Sequence, residues 1–247
     1  MLSFCLLCRT CVLLSLSLVL PVSAASLELA EVSTQAAQAF SPTTPVASVV
    51  MTGTAQWSAG GKTFSGPVKL TANVNGQNSA EFDLSNGTRV ETQSAIADDR
   101  TCTWTGKDGT AHNVASSNCW TSTVWFLPHL ALQTVGQPTS LQRAPISDSV
   151  PHLRYSLHIA PGRTSAATTA LIQTWSQADL KLDHTTLLPA SLKYSIHPDQ
   201  NSSVDLQVEV RYSNYKAVSG VQLPMHIERY VNGTVQVSID IASAVIN

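Results

Sequence analysis

Hydrophobic and polar residues alternate with a period of two through most of the chain after residue 48, and most regularly from residue 178 to the end. This alternation is typical of antiparallel strands that pack one face on apolar material and expose the other to water. A shift of the strand register by one residue would bury every charged residue that now alternates with the inward set, so the pattern specifies the register. The predicted inward sets are Ala178/Leu180/Leu182, Leu192/Tyr194/Ile196, Val204/Leu206/Val208/Val210/Tyr212, Val221/Leu223/Met225/Ile227 and Val235/Val237/Ile239/Ile241.

Tight turns separate the strands predicted in the first half of the chain. Ser58–Gly61, Asn75-Gly76 and Asn86-Gly87 are turn sequences, and Asn-Gly is a strong short-range hairpin signal. Strands joined by such turns must be antiparallel neighbours, because parallel pairs need long crossovers. The sequence therefore predicts a meander, with inward residues Val49/Met51/Ala55/Trp57, Phe64/Val68/Leu70/Ala72/Val74 and Ala80/Phe82/Leu84, a fourth strand at about 88–97, and a fifth that holds Cys102 and Trp104.

Three segments carry helical patterns. Ser26 can cap a short helix whose apolar residues recur every three to four positions until Ser41-Pro42 ends it, and 165–176 is predicted as a second helix or as a loop that leads into one. Residues 120–135 are apolar almost all round, which is typical of a helix that is buried or that covers an apolar cavity; Pro128 should kink or split it. A polar loop is predicted over 136–150 and a further strand over 151–160.

These elements predict a mainly β (α+β) fold of eleven or twelve strands and two or three helices. No repeat and no shift in composition divides the chain, so residues 25–247 are expected to form one domain. The apolar faces of so many strands need cover, which the helices and the curvature of the sheet can supply. We expect a curved antiparallel half-barrel over its helices, rather than a flat two-sheet sandwich, with a concave pocket between sheet and helix.

The first 24 residues have the features of a secretory signal peptide. Arg9 precedes an apolar run over Val12–Leu20, and Val22-Ser23-Ala24 offers a cleavage site of small residues. The run is shorter than the ~20 residues that span a bilayer, but residues 2–8 are apolar too, so an uncleaved N-terminal anchor is the alternative. No cysteine directly follows the run, which argues against a lipid anchor. The protein is expected to be exported, either periplasmic or secreted.

Removal of that leader leaves two cysteines, Cys102 and Cys119. An even count in an exported chain predicts a disulfide, here one that staples a hairpin or loop around the turn at Gly106–Gly109. A redox or metal-binding pair is disfavoured, because the spacing is not Cys-x-x-Cys and no histidine lies at ligand distance in the local sequence.

Composition excludes several classes of function. The net charge of −2 becomes −3 without Arg9, and no basic stripe exists to bind nucleic acid. Apolar content of 43% with so small a net charge argues against disorder. The seven histidines do not pair at metal-ligand spacing, Gly-x-Ser-x-Gly is absent, and Gly60-Gly61 begins a hairpin rather than a phosphate loop. No metal, cofactor or enzymatic activity is therefore expected.

The C-terminal third resembles a known family. The segments 182–189 (LDHTTLLP) and 215–224 (YKAVSGVQLP), the turn Asn232-Gly233 and the final residues 244–247 are similar to the strand–turn–strand pattern and the tail of bacterial outer-membrane lipoprotein carriers, the LolA-like lipoprotein-sorting superfamily. The resemblance is to uncharacterised exported members. It implies an unclosed antiparallel half-barrel whose helices cover an apolar cavity that accepts acyl chains. These motifs are turn and strand chemistry, so they bear on fold more than on function.

The candidate ligand site is an apolar set around the segment at 125–130. Its residues form either ordinary core or the lining of a cavity: Trp125, Phe126, Leu127 and Leu130, with Phe64 and Phe82 opposite. The first hypothesis is a non-enzymatic carrier or sensor that binds a lipid, an acylated protein or another apolar ligand. The second is an interaction or scaffold domain with a filled core and envelope proteins as partners. An exported hydrolase is a remote third.

Overall fold

The structure is a computed structural model that describes residues 22–40, 46–96, 99–121, 124–129, 140–143, 151–156, 164–198, 201 and 203–247. Its main feature is one antiparallel sheet of thirteen strands in the order β6-β5-β4-β3-β2-β1-β13-β12-β11-β10-β9-β8-β7. The strands are β1 Ser48–Ala59, β2 Lys62–Asn73, β3 Asn78–Leu84, β4 Gly87–Ile96, β5 Asp99–Thr105, β6 Ala111–Asn113, β7 Ser140–Arg143, β8 Pro151–Tyr155, β9 Ala178–Leu182, β10 Pro189–Ile196, β11 Leu206–Val218, β12 Val221–Val231 and β13 Thr234–Ile246.

The sheet is continuous because its first and last long strands pair. β1 and β13 run antiparallel side by side, and each also pairs with its own chain neighbour. The meander of the N-terminal half and that of the C-terminal half thus become one sheet, with the short strands β6 and β7 at its two edges. Those two edge strands were not predicted; they are three and four residues long, too short to show a period, and β7 falls in the predicted loop over 136–150.

The predicted turns and inward positions are largely confirmed. Gly60-Gly61, Asn75-Gly76 and Asn86-Gly87 lie at hairpin turns, and almost all of the predicted inward residues are buried or half-buried. The exceptions are Val74, 49% exposed beyond the end of β2, and Val204, 41% exposed before the start of β11. Both lie outside their strands, so no neighbouring strand covers them.

Within the described ranges, helices α1 Val22–Phe40, α2 Ser116–Thr121 and α3 Ala166–Trp175 accompany the sheet. α3 confirms the prediction over 165–176, and the hydroxyl of Ser165 accepts a hydrogen bond from the backbone N–H of Thr168 to cap it. α1 begins four residues before the predicted cap Ser26, because Ala24 and Ala25 are strong helix formers that extend it towards the N-terminus.

The segment predicted over 120–135 is described at residues 120–121 and 124–129, and there it is split, as Pro128 led us to expect, rather than one continuous helix. α2 ends at Thr121, and Val124–Leu127 form a turn in which the backbone N–H of Leu127 donates to the carbonyl of Val124. Val124 has a φ of 45°, and Pro128 disfavours helical backbone at the residue before it, so one long helix cannot pass through this point. The predicted burial is nevertheless correct, since all of residues 124–129 are buried.

An ion pair between two distant strands shows that the sheet is strongly curved. Arg229 Nη1 on β12 lies 3.3 Å from Glu91 Oε2 on β4. Five strand-to-strand steps separate β4 from β12, which corresponds to about 24 Å along a flat sheet. Two side chains cannot span that distance, so the two halves of the sheet must bend towards each other over their shared concave face.

Glycine allows the strands to approach closely at one point of this bend. Gly53 lies in β1 at a register shift against β13, where a Cβ would collide with the backbone carbonyl of Asp240. A β-bulge at such a position increases the local twist and bends the strand. The core lies on the concave side, where Ala36 and Phe40 of α1 and the segment 124–129 are buried with the inward residues of the strands.

The predicted disulfide is confirmed: Cys102 on β5 is bonded to Cys119 on α2, around the β5–β6 hairpin. In the part of the chain that is described, no helix has the length and apolar character needed to cross a membrane.

Candidate ligand cavity

A cavity of about 350 Å³ lies on the concave face, between strands β3–β5 on one side and strands β10–β13 on the other. This volume is at the lower end of the range for small-molecule pockets. Trp125 and Phe126 lie on its wall, together with Asn118 of α2 and His197 just after β10. The cavity therefore lies between the two halves of the curved sheet, beside the segment that the sequence singled out.

Trp125 is held in place through its own backbone. The hydroxyl of Tyr212, buried on β11, donates a 2.6 Å hydrogen bond to the carbonyl oxygen of Trp125. Burial holds the pKa of Tyr212 well above its usual value, so this hydroxyl keeps its proton. The rings of Trp125 and Phe126 meet edge to face, with centroids 5.6 Å apart. A turn that exposes no polar side chain is thus fixed by one buried hydrogen bond and by aromatic packing.

The same segment also contacts helix α1. The ring of His129 stacks on Phe40, with ring centroids 4.4 Å apart. Burial lowers the pKa of His129 to about 4, so the imidazole is neutral at pH 7. A neutral ring loses little by stacking on phenylalanine, and the contact packs α1 against residues 124–129.

Helix α2 joins the two sides of the cavity. Cys119 bonds covalently to Cys102 on β5. One residue earlier, the Asn118 side chain donates to the carbonyl of His197 at 2.6 Å and accepts from the His197 backbone N–H at 2.7 Å. Because β5 and the end of β10 lie on opposite sides of the cavity, these bonds fix the width of the cavity at this end.

The floor of the cavity carries a cluster of charged residues. Arg89 Nε lies 3.0 Å from Glu91 Oε1, while Arg229 contacts the other oxygen of the same carboxylate. Arg229 Nε also donates to Gln236 Oε1 at 3.0 Å. Burial alone would raise the pKa of Glu91, but the guanidinium groups of Arg229 and Arg89 outweigh it and hold that pKa below its usual value. Glu91 is therefore ionised at neutral pH.

Tryptophan rings hold the two guanidinium groups. Arg89 lies 4.8 Å from the ring centroid of Trp57 and 4.7 Å from that of Trp104. Arg229 lies 4.3 Å from the ring of Trp125 and 5.3 Å from that of Trp57. Each cation–π contact is worth about 0.5–2 kcal/mol, depending on solvent exposure. The aromatic wall and the charged floor are thus one packed unit.

Gln93 adds a polar group without a partner. Its side chain, 5% exposed, accepts a hydrogen bond from Asn78 Nδ2 at 3.2 Å through Oε1. Its Nε2 is buried and has no hydrogen-bond partner among the described residues, and Gln93 lines the cavity. A buried donor without an acceptor is unfavourable, so this atom is a natural contact point for a bound molecule.

The residues predicted for the site lie in different places. Trp125 and Phe126 line the cavity. Phe82 and Leu127 are fully buried but do not line it; the ring of Phe82 packs edge-on against Trp57 instead. Phe64 packs half-buried against the core, and Leu130 lies outside the described residues.

The sequence interpretation missed the charged floor, although a signal for it was present. The β3–β4 hairpin pairs Phe82 with Arg89 and Ala80 with Glu91, so the odd-numbered residues of β4 share the concave face with the apolar residues of β3. The same phase applies to Arg229, which lies two residues after the inward Ile227. If the alternation of each strand had been continued through its charged positions, it would have placed the cluster on the concave face.

No group of His, Cys, Asp and Glu within the described ranges could hold a metal ion. The described lining of the cavity combines aromatic side chains, a packed ion cluster and an unpaired donor.

The fold and the cavity define a class of protein. A single open antiparallel sheet, curved over a helix and a buried aromatic segment with a cavity between, is a half-barrel with a covered concave face.

Solved structures of this class are similar to the chain. An outer membrane lipoprotein-sorting protein domain from Vibrio parahaemolyticus matches with a TM-score of 0.52 and 9% identity, covering 91% of this chain and 93% of that one. A DUF1329 family protein from Desulfovibrio piger matches with a TM-score of 0.51 and 10% identity, over 92% and 93% of the two chains. A LolA superfamily protein from Nitrosomonas europaea matches with a TM-score of 0.50 and 11% identity, over 89% and 93%.

The chain therefore has a LolA-like fold, as its C-terminal motifs predicted. No protein-family model matches the sequence, and no curated protein matches it at a significant level. At these identities the likeness concerns the fold alone, and the function has to be argued from the cavity.

Proposed function

We propose that the protein is a non-enzymatic carrier or sensor that binds an acyl chain or another apolar ligand in the cavity of the half-barrel. The observation that carries the proposal is the cavity beside Trp125 and Phe126, which lies between the two halves of a curved sheet. The similar lipoprotein-sorting domain from Vibrio parahaemolyticus supports a role of this kind. The partner would be a lipid or an acylated protein.

The size of the cavity suits a short chain. At about 30 Å³ per water-sized group, a volume of 350 Å³ holds about a dozen non-hydrogen atoms. Burial of each CH₂ group contributes about 0.8 kcal/mol, so about ten of them would contribute roughly 8 kcal/mol. The loss of translational and rotational freedom offsets several kcal/mol of that gain. Reversible binding, as a carrier requires, follows from these magnitudes.

Two measurements test the proposal. Native mass spectrometry of protein purified from its own host should show a retained ligand as added mass. After delipidation, the neutral probe N-phenylnaphthylamine should bind with increased fluorescence. Protein that carries no extractable lipid and also fails to bind the neutral probe would contradict the proposed function.

A second candidate function is a scaffold domain for envelope proteins with a filled core. It is favoured by the ion cluster, because Arg89, Glu91 and Arg229 with their tryptophan neighbours occupy part of the concave floor. Trp125→Ala separates the two. In a filled core it should cost about 3–5 kcal/mol of stability and leave no binding to lose. In a ligand cavity, binding of the neutral probe should fall more than stability does.

Leu70→Ala is the matched control for that experiment. Leu70 is fully buried on β2 and does not line the cavity. Its truncation should cost about 2–5 kcal/mol of stability while the affinity of the folded protein for the probe is retained.

We also propose that residues 1–24 are removed on export and that residues 25–247 act as one domain in the periplasm or outside the cell. The apolar run and the small residues before Ala25 support this, as does the disulfide between Cys102 and Cys119, since such bonds persist in oxidising compartments. The mass of the mature protein is the test: a chain that begins at Met1 after export would mean that the segment is retained as an anchor.

A further inference from the structure

The positive and negative charges of the residues that line the cavity are not equal in number. Two guanidinium groups, those of Arg89 and Arg229, face a single carboxylate, Glu91, and the lining contains no other Asp, Glu, Lys or Arg among the described residues. The side chains are 28%, 10% and 22% exposed, respectively. His197 also lines the cavity, but its Nδ1 lies 3.1 Å from Asp205 outside, which would balance its charge if it were protonated. The cavity therefore has a surplus of one positive charge.

A surplus charge on side chains that are largely withdrawn from water is unfavourable unless an opposite charge neutralises it. Guanidinium groups form their strongest hydrogen bonds with carboxylate and phosphate oxygens. A bound anion would thus supply the negative charge that the lining of the cavity lacks. An uncharged ligand would leave the surplus uncompensated.

The unpaired donor points to the same chemistry. Gln93 follows Arg89 and Glu91 on the same face of β4, two residues apart at each step, and its Nε2 has no acceptor within the described part of the chain. The free N–H groups of Gln93 and the N–H groups of the two guanidinium side chains are all hydrogen-bond donors. The molecule that satisfies them must present acceptor atoms, as an anionic headgroup does.

Another part of the lining is apolar: Phe126, Ile196, Leu206 and Val208 contribute to it. A ligand that matches both parts of the lining has one charged end and one hydrocarbon end. The volume of about 350 Å³ corresponds to about a dozen non-hydrogen atoms, which is the size of a ten-carbon fatty acid.

We propose that the cavity binds an amphiphile with a single anionic headgroup, a medium-chain carboxylic acid. Its carboxylate contacts Arg89 and Arg229 of the charged floor and the neighbouring Gln93, and its alkyl chain lies against Phe126 and the apolar residues beside it. This inference rests on the proposed function and adds the charge of the ligand to it.

The test compares ligands that differ only in the headgroup. Delipidated full-length mature protein is titrated with decanoate, methyl decanoate and decyl phosphate, each as a competitor of N-phenylnaphthylamine, and with acetate as a headgroup without a chain. Decanoate should bind at least tenfold more tightly than methyl decanoate, and acetate should not compete at the same concentrations.

Each other result has a distinct meaning. Equal affinity for decanoate and its methyl ester would overturn the anionic assignment and leave the proposed function standing. Decyl phosphate at least tenfold tighter than decanoate would overturn the carboxylate and assign a phosphate headgroup. Competition by acetate alone would reveal a site for free anions and overturn the amphiphile. If neither the neutral probe nor any ligand with an alkyl chain binds, the proposed function is wrong as well.

Variants connect the preference to the cavity. Arg89→Gln removes the surplus charge, and Gln93→Leu removes the unpaired donor; each should reduce the ratio of decanoate to methyl decanoate affinity by at least fivefold. Glu91→Gln doubles the surplus and should increase that ratio. Because the ratio is measured within one variant, a general loss of stability affects both ligands alike and does not change it.

Arg211→Gln is the matched control. Arg211 lies on the convex face of the sheet, 52% exposed beside Glu209, and does not line the cavity. Its substitution changes the net charge of the protein as much as Arg89→Gln does. The ratio of affinities should be unchanged. An equal fall in both variants would mean that overall charge, rather than the cavity, selects the ligand, and the proposal would be wrong.

Discussion

The clearest test of the charged floor is the replacement of Glu91 by glutamine. The substitution keeps the size of the side chain and removes the only carboxylate in the cavity lining among the described residues. Arg229, 10% exposed and 3.3 Å from the carboxylate, and Arg89, 3.0 Å from it, then both lose the negative charge that balances theirs, and the amide keeps only one acceptor oxygen for the two guanidinium groups. Breaking a fully buried pair costs about 3–5 kcal/mol and breaking an exposed pair about 0–1 kcal/mol. For this partly buried cluster we expect a loss of about 2–3 kcal/mol at pH 7.

The pH dependence gives the prediction a sign. The pKa of Glu91 is lowered from 4.5 in the folded protein, so its stabilisation is fully present above pH 4.5 and is lost as the pH falls through the lowered value. Urea denaturation followed by tryptophan fluorescence should show the full difference between wild type and Glu91→Gln at pH 7. At pH 3 the difference should be smaller, because below pH 4.5 the unfolded chain takes up a proton on this carboxyl group more readily than the folded protein does.

Glu209→Gln is the control for this experiment. Glu209 also has two cationic neighbours, Lys193 at 3.7 Å and Arg211 at 3.1 Å, but these side chains are 61% and 52% exposed on the convex face. Its replacement should cost less than about 1 kcal/mol. Equal losses for the two variants, or a Glu91→Gln difference that does not change with pH, would refute the view that the cluster is buried and ionised.

Three further changes test other parts of the fold. Replacement of Cys102 and Cys119 by serine should lower the free energy of unfolding by about 3 kcal/mol, since the bond closes a loop of sixteen intervening residues; an unchanged melting temperature would contradict this. Tyr212→Phe leaves a buried carbonyl without its donor and should cost about 1–3 kcal/mol in urea denaturation, against less than about 0.5 kcal/mol for Tyr230→Phe, whose hydroxyl lies near the surface. Gly53→Ala should cost about 1–3 kcal/mol in the same assay, because the added Cβ meets backbone that cannot move aside; a neutral result would mean that β1 and β13 are less closely paired at the bulge.

The aromatic part of the candidate site could be predicted from the sequence, but its charged part could not. Trp125 and Phe126 were identified because a run of large apolar residues stands out in an alternating chain, whatever its backbone conformation. The cluster on β4 and β12 was missed, because a charged residue within an alternating strand is ordinarily assigned to the solvent face. Here the concave face itself contains charge, and the aromatic rings around the guanidinium groups make this tolerable.

The sequence by itself determined all but the two short edge strands, the turns between the strands, the face that each strand buries, and the disulfide. Each of these depends on neighbours in the chain, as with Asn75-Gly76 between two alternating segments, and local sterics and burial patterns specify such features. Only the tertiary structure decided which strands face each other across the cavity. Glu91 and Arg229 are 138 residues apart, and no local pattern records that the closure of β1 on β13 and the bend of the sheet bring them together. Long-range contacts of this kind arise from the curvature of the whole sheet, which is the summed effect of twist, bulges and side-chain packing over all thirteen strands.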